Sequence, residues 1–233
     1  MISNEIEFHA PGSLAEALDL LAGDGDDLTV LAGGMSLLPM MNLGIVRPTK
    51  VLSLNRVPEL TQVIERDGEI VIGAMVRHHR VAGDPLIQRH APLLAAAARV
   101  VGDVQVRNRG TIGGSVAHAD PAADYLPALA AAGATITLAS AWRQRTLTPD
   151  EFFIDLMFTS REPEEIVAAV TVPKLADGWR TAYQRLARVE GSFAIVNAAA
   201  VVAGDRSVAK AERNQVARNP SADHPAQESL LRQ

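Results

Sequence analysis

Hydrophobic and polar positions along this chain switch repeatedly between the two-residue period of strands and the longer period of helices. Residues 5–9 read as a short strand, turned by Pro11-Gly12. Ser13-Leu-Ala-Glu16 has the form of a capping box, in which the hydroxyl and the carboxylate each satisfy a free N–H. Leu14, Leu18 and Leu21 then line one helical face, which stops near Gly23. An acidic turn, residues 23–27, leads to an apolar strand, Leu28–Leu31, and residues 49–54 read as another strand. The first segment is thus β-α-β with a glycine loop after its second strand.

A second segment starts around Val57-Pro58. Residues 62–65 and 69–72 flank Asp67-Gly68, a strong hairpin signal. Arg77-His78-His79-Arg80 fits a short helix. Its adjacent histidines point in different directions and no third ligand has suitable spacing, so a solvated basic surface is expected rather than a metal site. Residues 92–101 form an alanine-rich helix suited to close packing, residues 121–132 a second apolar helix, and residues 134–139 a strand. Thr148-Pro149-Asp150-Glu151 starts a short helix with Phe152 and Phe153, and residues 166–172 form a strand ended by Pro173. A third segment begins near Trp179. Residues 181–189 read as a strand interrupted by Arg185 and Arg188, and residues 198–203 fit a strand or a helix. Residues 204–233 hold no aromatic and few large apolar side chains, a composition of disordered tails.

Two glycine pairs carry the candidate chemistry. The strand Leu28–Leu31 runs into Ala32-Gly33-Gly34-Met35-Ser36, with Ser36 placed to cap a short helix over residues 37–43. Arg107-Asn-Arg-Gly-Thr-Ile-Gly-Gly-Ser-Val-Ala-His-Ala-Asp-Pro-Ala-Ala-Asp124 places Gly110, Gly113 and Gly114 beside the hydroxyls of Thr111 and Ser115. Glycine lets a backbone approach a ligand closely, and free N–H groups near a helix start suit a phosphate. Two such loops suggest a ligand with two phosphates, gripped from both sides. Neither is the usual dinucleotide fingerprint: no G-x-G-x-x-G follows the first strand and no G-x-x-x-x-G-K-[ST] occurs.

These two motifs resemble the FAD-binding loops of the medium subunit of molybdenum hydroxylases, the family of the aerobic carbon monoxide dehydrogenase medium subunit, with the xanthine dehydrogenase flavin domain more distant. The resemblance runs from about residue 6 to about residue 202. It implies an α+β, PCMH-like (vanillyl-alcohol-oxidase-like) FAD-binding fold of two subdomains plus an incomplete C-terminal subdomain. The expected divisions are residues 1–56, 57–176, 177–203 and a tail at 204–233. It implies non-covalent FAD held by Ala32, Gly33, Gly34, Met35, Ser36, Leu37, Thr111, Ile112, Gly113, Gly114 and Ser115. By family position Asp124 reaches the cofactor, Ile166 or Val167 lies near the isoalloxazine, and Phe193 stands where relatives place an aromatic beside the ring. For Phe193 a buried core position is an equal alternative. The resemblance further implies a small [2Fe–2S] subunit and a large molybdopterin subunit as partners, assembled as paired trimers. Electrons would pass from the clusters through FAD to an external acceptor. No side chain here need act on the substrate, so no catalytic residue and no metal ligand is named. Relatives usually continue beyond this length, which leaves frameshift, truncation or natural divergence as origins for the tail. Two other readings stay open: a stand-alone FAD-dependent oxidoreductase and an inactive remnant.

Other residues have plainer readings. His118 either touches the ligand or shapes the loop by bonding backbone. Asp120 before Pro121 reads as the cap of the helix at residues 121–132. Arg107 and Arg109 suit phosphates, carboxylates or solvent. Met35, Met40 and Met41 read as core filler.

Composition narrows the function classes. The formal net charge is −5, which gives no general electrostatic reason for nucleic-acid binding. No cysteine is present, so this chain itself holds no cysteine-ligated iron–sulfur cluster, disulfide or cysteinyl flavin. No apolar run is long enough for a transmembrane helix, and Met1-Ile-Ser-Asn-Glu lacks a secretory start, so a cytoplasmic protein is expected.

Overall fold

The computed structural model describes residues 5–24, 27–203 and 206–213. The chain begins with β1 (Glu7–His9), α1 (Leu14–Asp24), β2 (Leu28–Leu31), α2 (Leu37–Asn42) and β3 (Lys50–Ser53). The strands form a parallel sheet in the order β1-β3-β2. The Ser13 hydroxyl accepts the Glu16 N–H at 3.2 Å, as the capping box predicts. The Glu16 carboxylate, however, accepts the Gly12 N–H at 2.8 Å rather than that of Ser13, so the box is shifted by one residue. Ala17, Leu18 and Leu21 of α1 are buried, with Leu14 half-buried beside them.

Short 3-10 turns at Leu54–Arg56 and Pro58–Thr61 lead into β4 (Val63–Arg66) and β5 (Glu69–Gly73). Asp67 and Gly68 both adopt positive φ, 42° and 87°, the conformation that fits a two-residue hairpin to the strand twist. Helices α3 (His78–Gly83), α4 (Pro85–His90), α5 (Pro92–Val100), α6 (Val104–Arg109), α7 (Ile112–His118) and α8 (Tyr125–Ala131) follow. Then come β6 (Thr135–Ala139), β7 (Gln144–Leu147), α9 (Pro149–Phe152), β8 (Phe153–Asp155), β9 (Phe158–Thr159) and β10 (Ile166–Pro173). Five strands pair antiparallel in the order β4-β5-β10-β6-β7. The larger core lies between this sheet and the helices, with Leu94, Ala97 and Ala98 of α5 against Ile112, Tyr125 and Leu129. A smaller core joins the first sheet to it: Leu21, Leu52 and Leu60 meet Met75, Ile166 and Ala168.

The helix predicted over residues 121–132 starts only at Tyr125, because Asp120 does a different job. Its carboxylate accepts the Ala122 N–H at 2.8 Å and its carbonyl the Ala123 N–H at 2.9 Å, closing a turn instead of capping a helix. The open reading of residues 198–203 resolves as strand. They belong to β12 (Ala194–Ala203), which pairs antiparallel with β11 (Arg180–Ala187) and β13 (Arg206–Arg213). Residues 206–213, assigned to the polar tail by composition, are thus strand, since their backbone completes the ladder on β12. The expected tail at residues 214–233 lies outside the described residues.

Candidate functional site

The segment after β2 forms one wall of a cleft. Gly34, at φ +77°, turns the chain into α2 in a conformation that a side chain would strain. The backbone N–H groups of Gly33, Gly34, Met35 and Ser36 have no hydrogen-bond partner among the described residues. Ser36 occupies the N-cap position but is already in helical conformation, φ −107° and ψ −49°, and its hydroxyl makes no cap bond. The predicted cap is therefore corrected: Ser36 lines the cleft without capping α2.

The opposite wall is built from the end of α6 through the first turn of α7. The Thr111 hydroxyl accepts the Gly114 N–H at 3.1 Å and so caps α7. The N–H groups of Ile112 and Gly113 donate to Val76 and Ala74 carbonyls at 3.0 and 2.9 Å, and that of Ser115 to the Thr111 carbonyl at 3.0 Å. The expectation that this loop offers its backbone donors to a ligand is thus corrected for four of them: those of Ile112 and Gly113 hold the wall to the strand-to-helix segment after β5, and those of Gly114 and Ser115 close the first turn of α7 on Thr111.

The walls touch at the base of the cleft. A Cβ built on Gly33 meets the Arg109 carbonyl oxygen at 2.3 Å and the Gly110 Cα at 2.7 Å. One on Gly114 meets the Thr111 hydroxyl at 2.8 Å and the Ala32 Cβ at 3.2 Å. Above this contact the cleft opens to about 680 Å³, within the roughly 300–1,000 Å³ range of cofactor and ligand sites. Both glycine pairs line it, as do Ala32, Met35, Ser36 and Leu37 on one side and Thr111 and Ser115 on the other. Asp124, Val167 and Phe193 also reach it. Ile112 does not: its side chain is 0% exposed and packs into the larger core, which corrects its place among the cleft residues. Phe193 is 65% exposed at the rim, which excludes the core alternative. Met41 is buried as core filler, but Met35 and Met40 line the cleft instead. His118 lines it too, whereas Arg107 donates to the Val101 and Gly102 carbonyls at 3.1 and 2.8 Å.

Charge is managed by neighbours in the protein. The Asp124 carboxyl is 6% exposed; burial raises it above the usual range, opposed by the Tyr183 hydroxyl at 2.7 Å and by Arg185 at 3.5 Å. Arg185 also donates to the Val100 and Ser192 carbonyls, tying β11 to the turn that carries Phe193. Burial pushes Glu165 up, but two hydrogen bonds from Arg145, at 2.8 and 2.7 Å, hold it below the carboxylate range overall. The Glu162 N–H at 2.9 Å and the Arg143 charge act in the same direction. Arg161, beside Glu165 at the cleft, donates to the Glu165 carbonyl at 2.8 Å.

Sequence reasoning missed several lining residues. His78 was expected on a solvated surface, yet it is 4% exposed and lines the base of the cleft. Its Nδ1 shares a 3.0 Å hydrogen bond with the Tyr125 hydroxyl, and burial, then the charges of Arg77 and Arg107, push it down to about 4. No periodic signal separates it from His79, which is exposed. Arg161, Glu165, Gly191 and Ser192 were also missed, since they sit on connections with no glycine pair to mark them. Among the described residues no group of histidines and carboxylates is placed to hold a metal ion.

The family model described as "FAD binding domain in molybdopterin dehydrogenase" matches residues 4–175. The chain belongs to this family. In sequence, this FAD-binding domain chain is 42% identical over 203 residues to the carbon monoxide dehydrogenase medium chain of Hydrogenophaga pseudoflava, covering 87% of this chain and 70% of that one. It is 39% identical to the 6-hydroxypseudooxynicotine dehydrogenase complex subunit alpha of Paenarthrobacter nicotinovorans, covering 83% of this chain and 65% of the relative. Carbon monoxide dehydrogenase from Hydrogenophaga pseudoflava superposes with a TM-score of 0.86 at 39% identity, covering 91% of this chain and 75% of that chain. Quinoline 2-oxidoreductase from Pseudomonas putida 86 gives 0.83 at 36% identity, covering 91% and 77%. The expected α+β PCMH-like fold and the FAD assignment are therefore borne out. No helix among the described residues is long and apolar enough to cross a membrane.

The cleft suits the family's cofactor. Unspent N–H groups at residues 33–36 match the acceptor oxygens of a diphosphate, and the missing side chains at Gly33 and Gly34 leave room for its approach.

Proposed function

We propose that this chain holds FAD in the cleft between the two glycine walls and acts as the electron-transfer subunit of a molybdenum hydroxylase. The observation that carries this reading is the shared crevice of Gly33-Gly34 and Gly113-Gly114, two pairs far apart in sequence. The backbone N–H groups of Gly33, Gly34, Met35 and Ser36 bind the diphosphate, while Thr111, Gly113, Gly114 and Ser115 supply a rigid opposing surface. Asp124, which accepts the Tyr183 hydroxyl, reaches the cofactor from the cleft lining, and Val167 and Phe193 flank the flavin ring. FAD, when bound, supplies reversible two-electron chemistry; the protein contributes placement and electrostatics. Electrons enter from iron–sulfur clusters on a small partner chain and leave to an external acceptor. A large molybdopterin chain selects the substrate, and the assembly is a pair of such trimers in the cytoplasm.

An absorbance spectrum of the purified chain, with and without added FAD, tests this. Flavin bands that stay with the protein through gel filtration are expected. A chain that passes through FAD without retaining it sinks the reading.

A further inference from the structure

Arg77 joins the two walls from behind. It precedes α3 and lies outside the cleft lining, half-buried, with its backbone bridged to Thr111. One arm of its guanidinium donates to the Asn55 Oδ1 at 2.7 Å, and the other donates to the Arg109 carbonyl. Asn55 in turn donates from its Nδ2 to the Ala32 carbonyl at 3.4 Å and to the Ser53 hydroxyl at 3.0 Å. A continuous polar strut therefore runs from Ala32, the residue before Gly33, to Arg109, the residue before Gly110. These are the points where the walls meet, and a Cβ on Gly33 there has only 2.3 Å to the Arg109 carbonyl oxygen.

We propose that Arg77 and Asn55 are positioning residues that set the separation of the two glycine walls and so the affinity for the diphosphate of FAD. This rests on the proposed function. A planar guanidinium fork reaches two acceptors in fixed directions, which a single ammonium does not. Its half-buried place also makes the fork costly to leave unpaired: burial, then the Arg109 charge, lowers the Arg77 pKa. Supporting groups of this kind hold a binding geometry within a fraction of an ångström, and loosening them weakens a site whose contacts are all still present.

The test compares FAD dissociation constants, by flavin fluorescence, for the full chain and for Arg77→Lys, Asn55→Ala and the double variant. Each single change is expected to raise the constant about tenfold, and the double change about as much as one alone, because either breaks the same strut. Arg80→Ala is the control: Arg80 bonds the Thr61 carbonyl at 2.7 Å and pairs with Asp84 at 3.5 Å, away from both walls, and should leave the affinity unchanged. Thermal melts of the FAD-free proteins separate a merely structural role, which lowers the melting temperature with an unchanged dissociation constant. That result, or losses in the double variant equal to the product of the single ones, overturns the strut. A parent chain that binds no FAD overturns the proposed function instead.

Discussion

Gly33→Ala isolates the contact on which the cleft depends. The new methyl would sit 2.3 Å from the Arg109 carbonyl oxygen, 2.7 Å from the Gly110 Cα and 3.0 Å from the Arg109 carbonyl carbon. Ordinary contacts of this kind lie near 3.4 Å or beyond, so the walls must part by about 1 Å. All three obstructing atoms are backbone, so no side chain can swing aside to relieve the clash. Overpacking of this kind costs about 1–3 kcal/mol, and for a domain of this size that lowers the melting temperature by about 2–4 °C per kcal/mol. Binding suffers more than folding, because a displacement of about 1 Å at a preorganised site costs up to about a hundredfold. Gly114→Ala should be milder, since its nearest neighbours are the Thr111 hydroxyl at 2.8 Å and a methyl at 3.2 Å. Titration with FAD followed by fluorescence, alongside a thermal melt, reads both effects. The reasoning is refuted if Gly33→Ala binds and melts like the parent, or if Gly114→Ala proves the more damaging change.

Further outcomes follow from the buried polar groups. His78 stays neutral in the folded chain down to about pH 4, whereas the unfolded chain protonates below about 6.5, so its contribution is complete above 6.5 and is lost as pH falls to about 4. The slope is about 1.4 kcal/mol per pH unit inside that window, and His78→Gln should flatten the dependence of melting temperature on pH there; an unchanged slope would assign the acid sensitivity elsewhere. Glu165→Ala removes a carboxylate that is 1% exposed and strips Arg145 of its bidentate partner, and a loss of about 2 kcal/mol in urea unfolding is expected after allowing for the partly solvated arginine. Tyr183→Phe leaves buried Asp124 without its 2.7 Å donor and should cost about 1–3 kcal/mol, with equal stability counting against that bond.

Most of the fold was legible because its signals are local. Asp67-Gly68 demands positive φ at both positions, and the chain obeys. That hairpin marked β5, and an apolar run stopped by Pro173 marked β10. Short strands escaped notice: β7, β8 and β9 span too few residues for a period to show. The helix start was misplaced because Asp120-Pro121 satisfies the same local rule for a tight turn as for a cap, and only the surrounding contacts choose. In the site, glycine pairs marked both walls but not their division of labour. Whether an N–H is free depends on what lies across from it, and the carbonyls of Ala74 and Val76 are far from residues 112–113 in sequence. His78 and Asn55 were invisible for the same reason, since each acquires its role from a partner brought in by the fold.

The unequal hydrogen bonding of the two walls has a practical consequence for anyone re-engineering the nucleotide preference. The N–H groups of residues 33–36 are uncommitted, so an edit at Met35 or Ser36 changes recognition while leaving the scaffold intact, whereas Gly33 and Gly34 admit no side chain. The N–H groups of Ile112 and Gly113 are committed to the segment after β5, and swapping loops at that address trades away the architecture along with the selectivity.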